Sequence, residues 1–199
     1  MYKKPKQTRA VITEQKFLDA LSSLLIEKSL NKLTIEEISE RATLHRGAFL
    51  KRFGSKRQAL LVLFERYCFD ASACMSSIQE NLQQYSSALD VCNHLSKQLE
   101  HIQKMHFASN RAMHEIFLEG LEVDEQTKRI FMQLVELMRH IQKRFLANSA
   151  ASDMGAYSAA QMLVTTNYNY VLLAMPALPR ASEIRHDLIG KIVLTALLI

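Results

Sequence analysis

The chain has 199 residues, of which 48% are apolar and 23% charged, with only 5 Gly and 3 Pro. That profile favours an all-helical protein with one small and one larger domain. Three Cys, at positions 68, 74 and 92, show no Cys-x-x-Cys spacing and so signal neither a disulfide framework nor a zinc finger, and the longest uncharged apolar stretch, Val171 to Leu178, is too short to span a bilayer. A cytoplasmic protein with reduced thiols, no cofactor, no metal and no membrane partner is therefore expected.

Charge is placed unevenly. Residues 1–60 hold 13 Lys or Arg and 6 Asp or Glu, a net of +7, against 12 and 14, a net of −2, over residues 61–199. Positive charge gathered at one end suits a polyanionic partner. Lys3, Lys4, Lys6 and Arg9 precede the first helix as a short basic arm of the kind that adds phosphate or minor-groove contacts. Residues 12–29 read as that first helix, with Phe17, Leu21, Leu24 and Leu25 on one face.

Thr34 and Glu37 then form a capping box, with Leu33 and Ile38 in the positions of a hydrophobic staple. A second helix is predicted from Thr34, with Ile35, Ile38 and Ala42 on its apolar face and Glu36, Glu37, Glu40 and Arg41 toward solvent. A turn at Thr43 leads to a third helix over His45 to Phe53. In it Phe49 and Phe53 share a core-facing stripe, while Arg46, Gly47, Leu50 and Lys51 face the other way. A small, basic outward face suits a DNA major groove. After Gly54, Ser55 and Gln58 make a second capping box, which places Lys56 and Arg57 in the first turn of a new helix. Cations there oppose the helix dipole at ~0.3 to 1 kcal/mol each unless an anion is near, and a phosphate would be that anion.

The pattern Leu60, Leu61, Phe64, Cys68, Ala71, Met75, Ile78 and Leu82 continues this helix for about seven turns, long enough to be shared by two domains. Further helices are predicted over 86–106, 110–121, 125–148, 153–175 and 183–198, with Asp124, Ser152 and Ser182 as starts and Pro176 and Pro179 as a stop. Residues 1–54 are expected to form the arm and helix-turn-helix domain, and residues 55–199 a second, larger helical domain. The final helix carries Ile184, Leu188, Ile192, Thr195 and Ile199 on one stripe, with Ile189, Val193, Ala196 and Leu197 nearby. That apolar surface is wider than one partner face needs, so it serves either a second chain or an internal core.

Residues 8–61 resemble the N-terminal DNA-binding domain of the tetracycline-repressor (TetR) family of bacterial transcriptional regulators. The resemblance rests on Thr-Ile-Glu-Glu-Ile-Ser at 34–39, Ala-Thr-Leu-His-Arg-Gly-Ala-Phe-Leu-Lys-Arg-Phe at 42–53, and Lys56. Three positions depart from the family pattern. Thr43 stands where the turn Gly is usual and must take a backbone angle that Gly adopts freely. His45 replaces the capping Ser and is a poorer N-cap. Leu50 replaces a Tyr whose hydroxyl reaches a phosphate, and is suited instead to a thymine methyl.

The resemblance implies an all-α fold of about nine helices, in which Thr34, Thr43, His45, Arg46, Gly47, Leu50, Lys51 and Lys56, with Lys3, Lys4 and Lys6, meet double-stranded operator DNA. It implies a homodimer through the last two helices, with Leu163, Ile184, Leu188, Ile192 and Thr195 at the interface. It also implies a small-molecule effector. The candidate lining is Met113, Phe117, Phe131, Met138, Tyr157, Gln161, Tyr168 and Tyr170, since Met and aromatic side chains make adaptable walls, although plain core suits each of them better. A ligand-responsive, non-enzymatic repressor is the expected function. A DNA-binding adaptor of the same fold without an effector is the alternative. A ferritin-like metalloenzyme needs two Glu-x-x-His pairs and two further Glu, and this chain offers only Glu183 with His186.

Overall fold

The computed structural model describes residues 5, 7–119, 125–146, 152–173 and 178–199. Among them are nine α-helices and no strand: α1 (Thr8–Glu27), α2 (Ile35–Arg41), α3 (Arg46–Phe53), α4 (Lys56–Glu80), α5 (Ala88–Met105), α6 (Phe107–Leu118), α7 (Glu125–Phe145), α8 (Asp153–Leu172) and α9 (Ser182–Leu197). The all-α class and helix number agree with the sequence reading, and the differences lie at the ends. α1 begins at Thr8 rather than residue 12, because the Gln7 carbonyl accepts from the N–H groups of both Ala10 and Val11. α6 begins at Phe107 rather than residue 110, with the His106 carbonyl accepting from the Asn110 N–H and from the Ser109 hydroxyl. Ser152 caps α8 as predicted, its hydroxyl accepting from the Gly155 N–H at 3.1 Å. Ser182 does not cap α9: it is the first helical residue, and Ala181 precedes it in extended conformation. The predicted start at Asp124 and stop at Pro176 lie outside the described residues.

The chain divides into two compact units, Met1–Tyr67 with His106–Glu122, and Cys68–Met105 with Val123–Ile199. Compactness thus cuts the sequence elsewhere than the expected boundary at 54/55. α4 runs through both units, and α6 belongs with the N-terminal helices.

In the first unit α1 packs on α2 and α6, and α2 packs on α3. The centre is an aromatic triad. Phe17 of α1 meets the edges of Phe49 and Phe53 of α3 at ring distances of 5.3 and 6.1 Å, and the latter two lie 5.1 Å apart. Leu21, Leu24 and Leu25 complete the buried face of α1, as its spacing requires. Burying each such side chain is worth about 1.5–3 kcal/mol, and aromatic pairs add about 0.5–1.5 kcal/mol. The last turn of α1 and the loop that follows it are tied by polar contacts to α6 and its C-cap, in the same unit. Arg111 of α6 donates to the Leu25 carbonyl, and Asn31 donates to Glu119 at 2.7 Å.

In the second unit α9 packs on α5 and α8, and α7 packs on α8. α5 and α9 approach so closely that a Cβ on Gly190 would stand 1.8 Å from Asn93 Oδ1. Leu95, Leu137, Met138, Leu163, Ile189, Val193 and Leu197 fill the interior. Burial pushes the Cys92 thiol up to about 12, which keeps it protonated.

A polar cluster crosses this apolar core. Arg185, only 2% exposed, donates through Nε and Nη2 to the two Glu100 oxygens at 2.9 and 2.7 Å. Its Nη1 reaches the carbonyls of Pro179 at 3.1 Å and Arg180 at 2.9 Å, and its guanidinium lies 4.0 Å from the Tyr170 ring centre. His186 Nδ1 lies 3.0 Å from the Ser96 hydroxyl, and Asn167 donates to the Ser96 carbonyl at 3.2 Å. Burial works to raise the Glu100 carboxyl, but hydrogen bonds from Arg185 and Lys104 outweigh it and hold the group below its ordinary value.

Candidate nucleic-acid interface

The capping box that opens α2 is complete. Thr34 Oγ1 accepts from the Glu37 N–H at 3.1 Å, and Glu37 Oε2 accepts from the Thr34 N–H at 2.8 Å. The other Glu37 oxygen pairs with Lys28. The Lys28 hydrogen bond, followed by the backbone and hydroxyl of Thr34, holds the Glu37 carboxyl at about 2. The Thr34 hydroxyl is thereby engaged within α2's own N-terminus.

α2 ends in a Schellman motif: the Leu44 N–H donates to the Ser39 carbonyl and the Thr43 N–H to the Glu40 carbonyl, both at 2.9 Å. That motif demands a left-handed residue, and Thr43 takes the position at φ 56°. A β-branched residue in this region is strained by about 1–2 kcal/mol. The expectation that Thr43 must adopt a glycine-like angle is met. The turn closes without glycine, and that fixes where α3 begins.

α3 follows with His45 as a cap that makes no side-chain hydrogen bond, as its chemistry implies. Phe49 and Phe53 anchor the inner face. Gly54, at φ 76°, stops the helix. The outer face exposes His45, Arg46, Gly47 and Lys51, with Leu50 half-buried beside them. A Cβ added to Gly47 would meet nothing within 4 Å. Arg46 Nε lies 2.6 Å from Glu36 Oε1 of α2, with both side chains more than half exposed.

At the start of α4 the Ser55 hydroxyl accepts from the Gln58 N–H at 3.1 Å. Lys56 turns toward the protein, its ammonium donating to the Leu30 carbonyl at 3.0 Å and to the Leu33 carbonyl. One ammonium hydrogen is left for the phosphate contact expected of it. Arg57 is exposed. Lys3, Lys4 and Lys6 lie outside the described residues.

The other candidate residues fall into separate groups. Met113, buried, and Phe117, half-buried, sit on α6 in the first unit. Phe131, Met138, Tyr157, Gln161, Tyr168 and Tyr170 belong to the second unit. There Phe131 and Tyr157 meet edge to face at 5.1 Å, Met138 is fully buried core, and the exposed Gln161 donates to Thr165. Tyr170 serves the Arg185 cluster and Tyr168 is half-buried.

Of the proposed interface residues, Ile184 and Leu188 are exposed at 61% and 38%, Thr195 is exposed and Ile192 half-buried. Leu163 is a correction: it is wholly buried inside its own chain and faces the core. α8 presents Met154, Tyr157 and Met162 outward instead. No signal in the sequence marked Glu36 as the partner of Arg46. Among the described residues no group of three or more His, Cys, Asp or Glu is placed to hold a metal ion, and none of the helices is long and apolar enough to cross a membrane.

A capped α2, a fixed turn and a basic outward α3 define a helix-turn-helix protein with a second, larger helical unit. Residues 17–63 match the sequence model of a family described as bacterial regulatory proteins, tetR family. The fold is similar to that of PfmR, a TetR family transcriptional regulator from Thermus thermophilus, at 13% identity and TM-score 0.66, covering 90% of this chain and 97% of that one. It is similar to SmeT, the repressor of the Stenotrophomonas maltophilia multidrug efflux pump SmeDEF, at 18% identity and TM-score 0.67, covering 92% and 89%. NalD, the secondary repressor of the MexAB-OprM multidrug efflux pump in Pseudomonas aeruginosa, matches at 14% identity and TM-score 0.63, covering 94% and 95%. No curated protein sequence matches the chain. Residues 17–63 are thus similar in sequence to the DNA-binding region of the tetR family, and the helical fold is similar to those of solved TetR family regulators.

Proposed function

We propose that this chain is a homodimeric, non-enzymatic transcriptional repressor, which reads a palindromic operator through α3 and is released by a small molecule. The observation that carries the reading is the outer face of α3, where Arg46 and Lys51 flank a Gly47 with open space around it. Glycine in a helix costs up to about 1 kcal/mol relative to alanine, and no packing within the protein uses the missing Cβ. Close approach of a DNA backbone would use it. Lys51, Lys56 and Arg57 supply phosphate contacts, Arg46 and Leu50 read base edges, and Thr34, Thr43 and His45 fix the geometry between them.

Dimerisation is supported by α9, which buries Ile189, Val193 and Leu197 in its own core while exposing Ile184 and Leu188. A two-fold pair would present two copies of α3 to half-sites about one helical turn apart. Effector binding acts by favouring a dimer state whose spacing no longer fits both half-sites. The names of two structural neighbours as efflux-pump repressors favour repression over activation.

Selection of duplexes from a random pool by the purified protein tests the reading. An inverted repeat with half-site centres about 34–36 Å apart is expected, and enrichment no better than bulk duplex would overturn it. Sedimentation should give a dimer that Ile184→Glu with Leu188→Glu converts to monomer. A thermal-shift screen should find compounds that raise Tm by mass action. If none does while operator binding holds, the adaptor without effector is the better description.

A further inference from the structure

We infer that Glu36 is a specificity-determining positioning residue, whose carboxylate holds Arg46 so that the guanidinium reads one base pair of each half-site instead of settling on phosphate. This rests on the reading of α3 as the operator-reading helix.

The two acids in the first turn of α2 do different things. Glu37 is consumed by the capping box and by Lys28. Glu36 takes no part in the cap, and its carboxylate is directed across the turn to Arg46, the first residue of α3, at 2.6 Å. The Schellman turn fixes the distance between their backbones. An ion pair as exposed as this one adds little to folding, so stability does not explain it.

Three consequences for DNA follow. Arg46 is a cation at a helix N-terminus, where the dipole opposes it, and Glu36 offsets that local field. The ion pair is made at Nε, so Nη1 and Nη2, the groups that carry a bidentate contact to guanine O6 and N7, are the ones left for DNA. Finally, the pair is neutral as a unit. It releases no counterion by itself, whereas an unpaired Arg46 on a phosphate would release about one.

The test measures binding to the selected operator and to every single-base-pair variant, across a salt series, for wild type, Glu36→Gln, Glu36→Asp, Arg46→Ala and the Glu36→Gln/Arg46→Ala double variant. Glu36→Gln should flatten the preference at one base pair per half-site by roughly tenfold, tighten binding to random duplex, and steepen the salt slope by about 0.9. Glu36→Asp should restore part of the preference. In the Arg46→Ala background Glu36→Gln should change neither quantity. Unaltered base preference in Glu36→Gln, or an equal change with and without Arg46, would overturn the inference while leaving operator binding intact. A wild type without any sequence preference would instead remove the proposed function beneath it.

Discussion

The two compact units are built by different kinds of constraint. In the first, the geometry that matters is set by neighbours in sequence: Thr34 with Glu37, Thr43 with Glu40, Leu44 with Ser39, Arg46 with Glu36. In the second, the most heavily engaged side chain, Arg185, finds its carboxylate 85 residues away. Short-range constraints yield a site whose parts are each dispensable for folding. A long-range buried charge pair gives the opposite, since removing one member strands the other in a low-dielectric interior.

The largest expected effect follows from that contrast. Arg185→Ala should destabilise the protein by about 3–5 kcal/mol, because Glu100 is left as a buried charge without its bidentate partner. Arg185→Met combined with Glu100→Leu should recover most of the loss, since a well-packed apolar pair replaces a buried ion pair at little cost. Arg46→Ala, on the exposed reading face, should change stability by no more than about 0.5 kcal/mol. Urea unfolding of the four proteins measures all of this. If Arg185→Ala unfolds no more easily than Arg46→Ala, the distinction between the units fails.

Gly190→Ala sharpens the same comparison at a smaller scale. Its Cβ would stand 1.8 Å from Asn93 Oδ1 on α5, and relief requires α9 or the Asn93 side chain to shift, at about 1–3 kcal/mol. Asn93→Ala in the same chain should restore most of the stability, because Asn93 Oδ1 has no hydrogen-bond partner to lose. Gly47→Ala, by contrast, meets open space and should be neutral or slightly stabilising while weakening operator binding. Equal destabilisation by both alanines would contradict the geometry of α3.

The same division explains what could be read from the sequence. The capping box at Thr34, the Phe49 and Phe53 stripe, the left-handed Thr43 and the cap at Ser152 all follow from residues three or four apart, where physical rules act locally. The inward turn of Leu163 was missed because an apolar residue on a helix apolar on several sides has no preferred partner until packing chooses one. The role of Lys56 was half legible: its place in the first turn of α4 was clear, but the Leu30 and Leu33 carbonyls it reaches become available only when the α1–α2 loop folds back. Nothing in the spacing of Glu100, Tyr170, Arg185 and His186 relates them before the fold does.

Thr43→Gly tests the local side of the comparison. Release of left-handed strain gains about 1–2 kcal/mol, and the greater freedom of glycine in the unfolded chain offsets about 0.5–1 kcal/mol of it. A net stabilisation of about 1 kcal/mol or less is expected, read as a higher urea midpoint with an unchanged slope. Destabilisation would mean that the Thr43 side chain contributes packing that outweighs its backbone angle.

The smallest effect lies in acid. The folded Glu37 carboxyl is held at about 2 against an ordinary value of 4.5, so the folded chain binds fewer protons there than the unfolded chain does. Its contribution is complete above 4.5 and disappears as pH falls from 4.5 toward 2. His186 lies below its ordinary value of 6.5, mainly through burial, so its contribution also fades with acid, but from a higher starting point. Glu37→Gln separates the two, because glutamine keeps the capping-box hydrogen bond and removes only the charge. Unfolding midpoints followed downward from pH 6 should therefore fall together for wild type and Glu37→Gln through the His186 range. The wild type should then lose its small advantage below 4.5, and a constant gap at all pH values would show that the Lys28 pair contributes nothing to the stability of the helix-turn-helix.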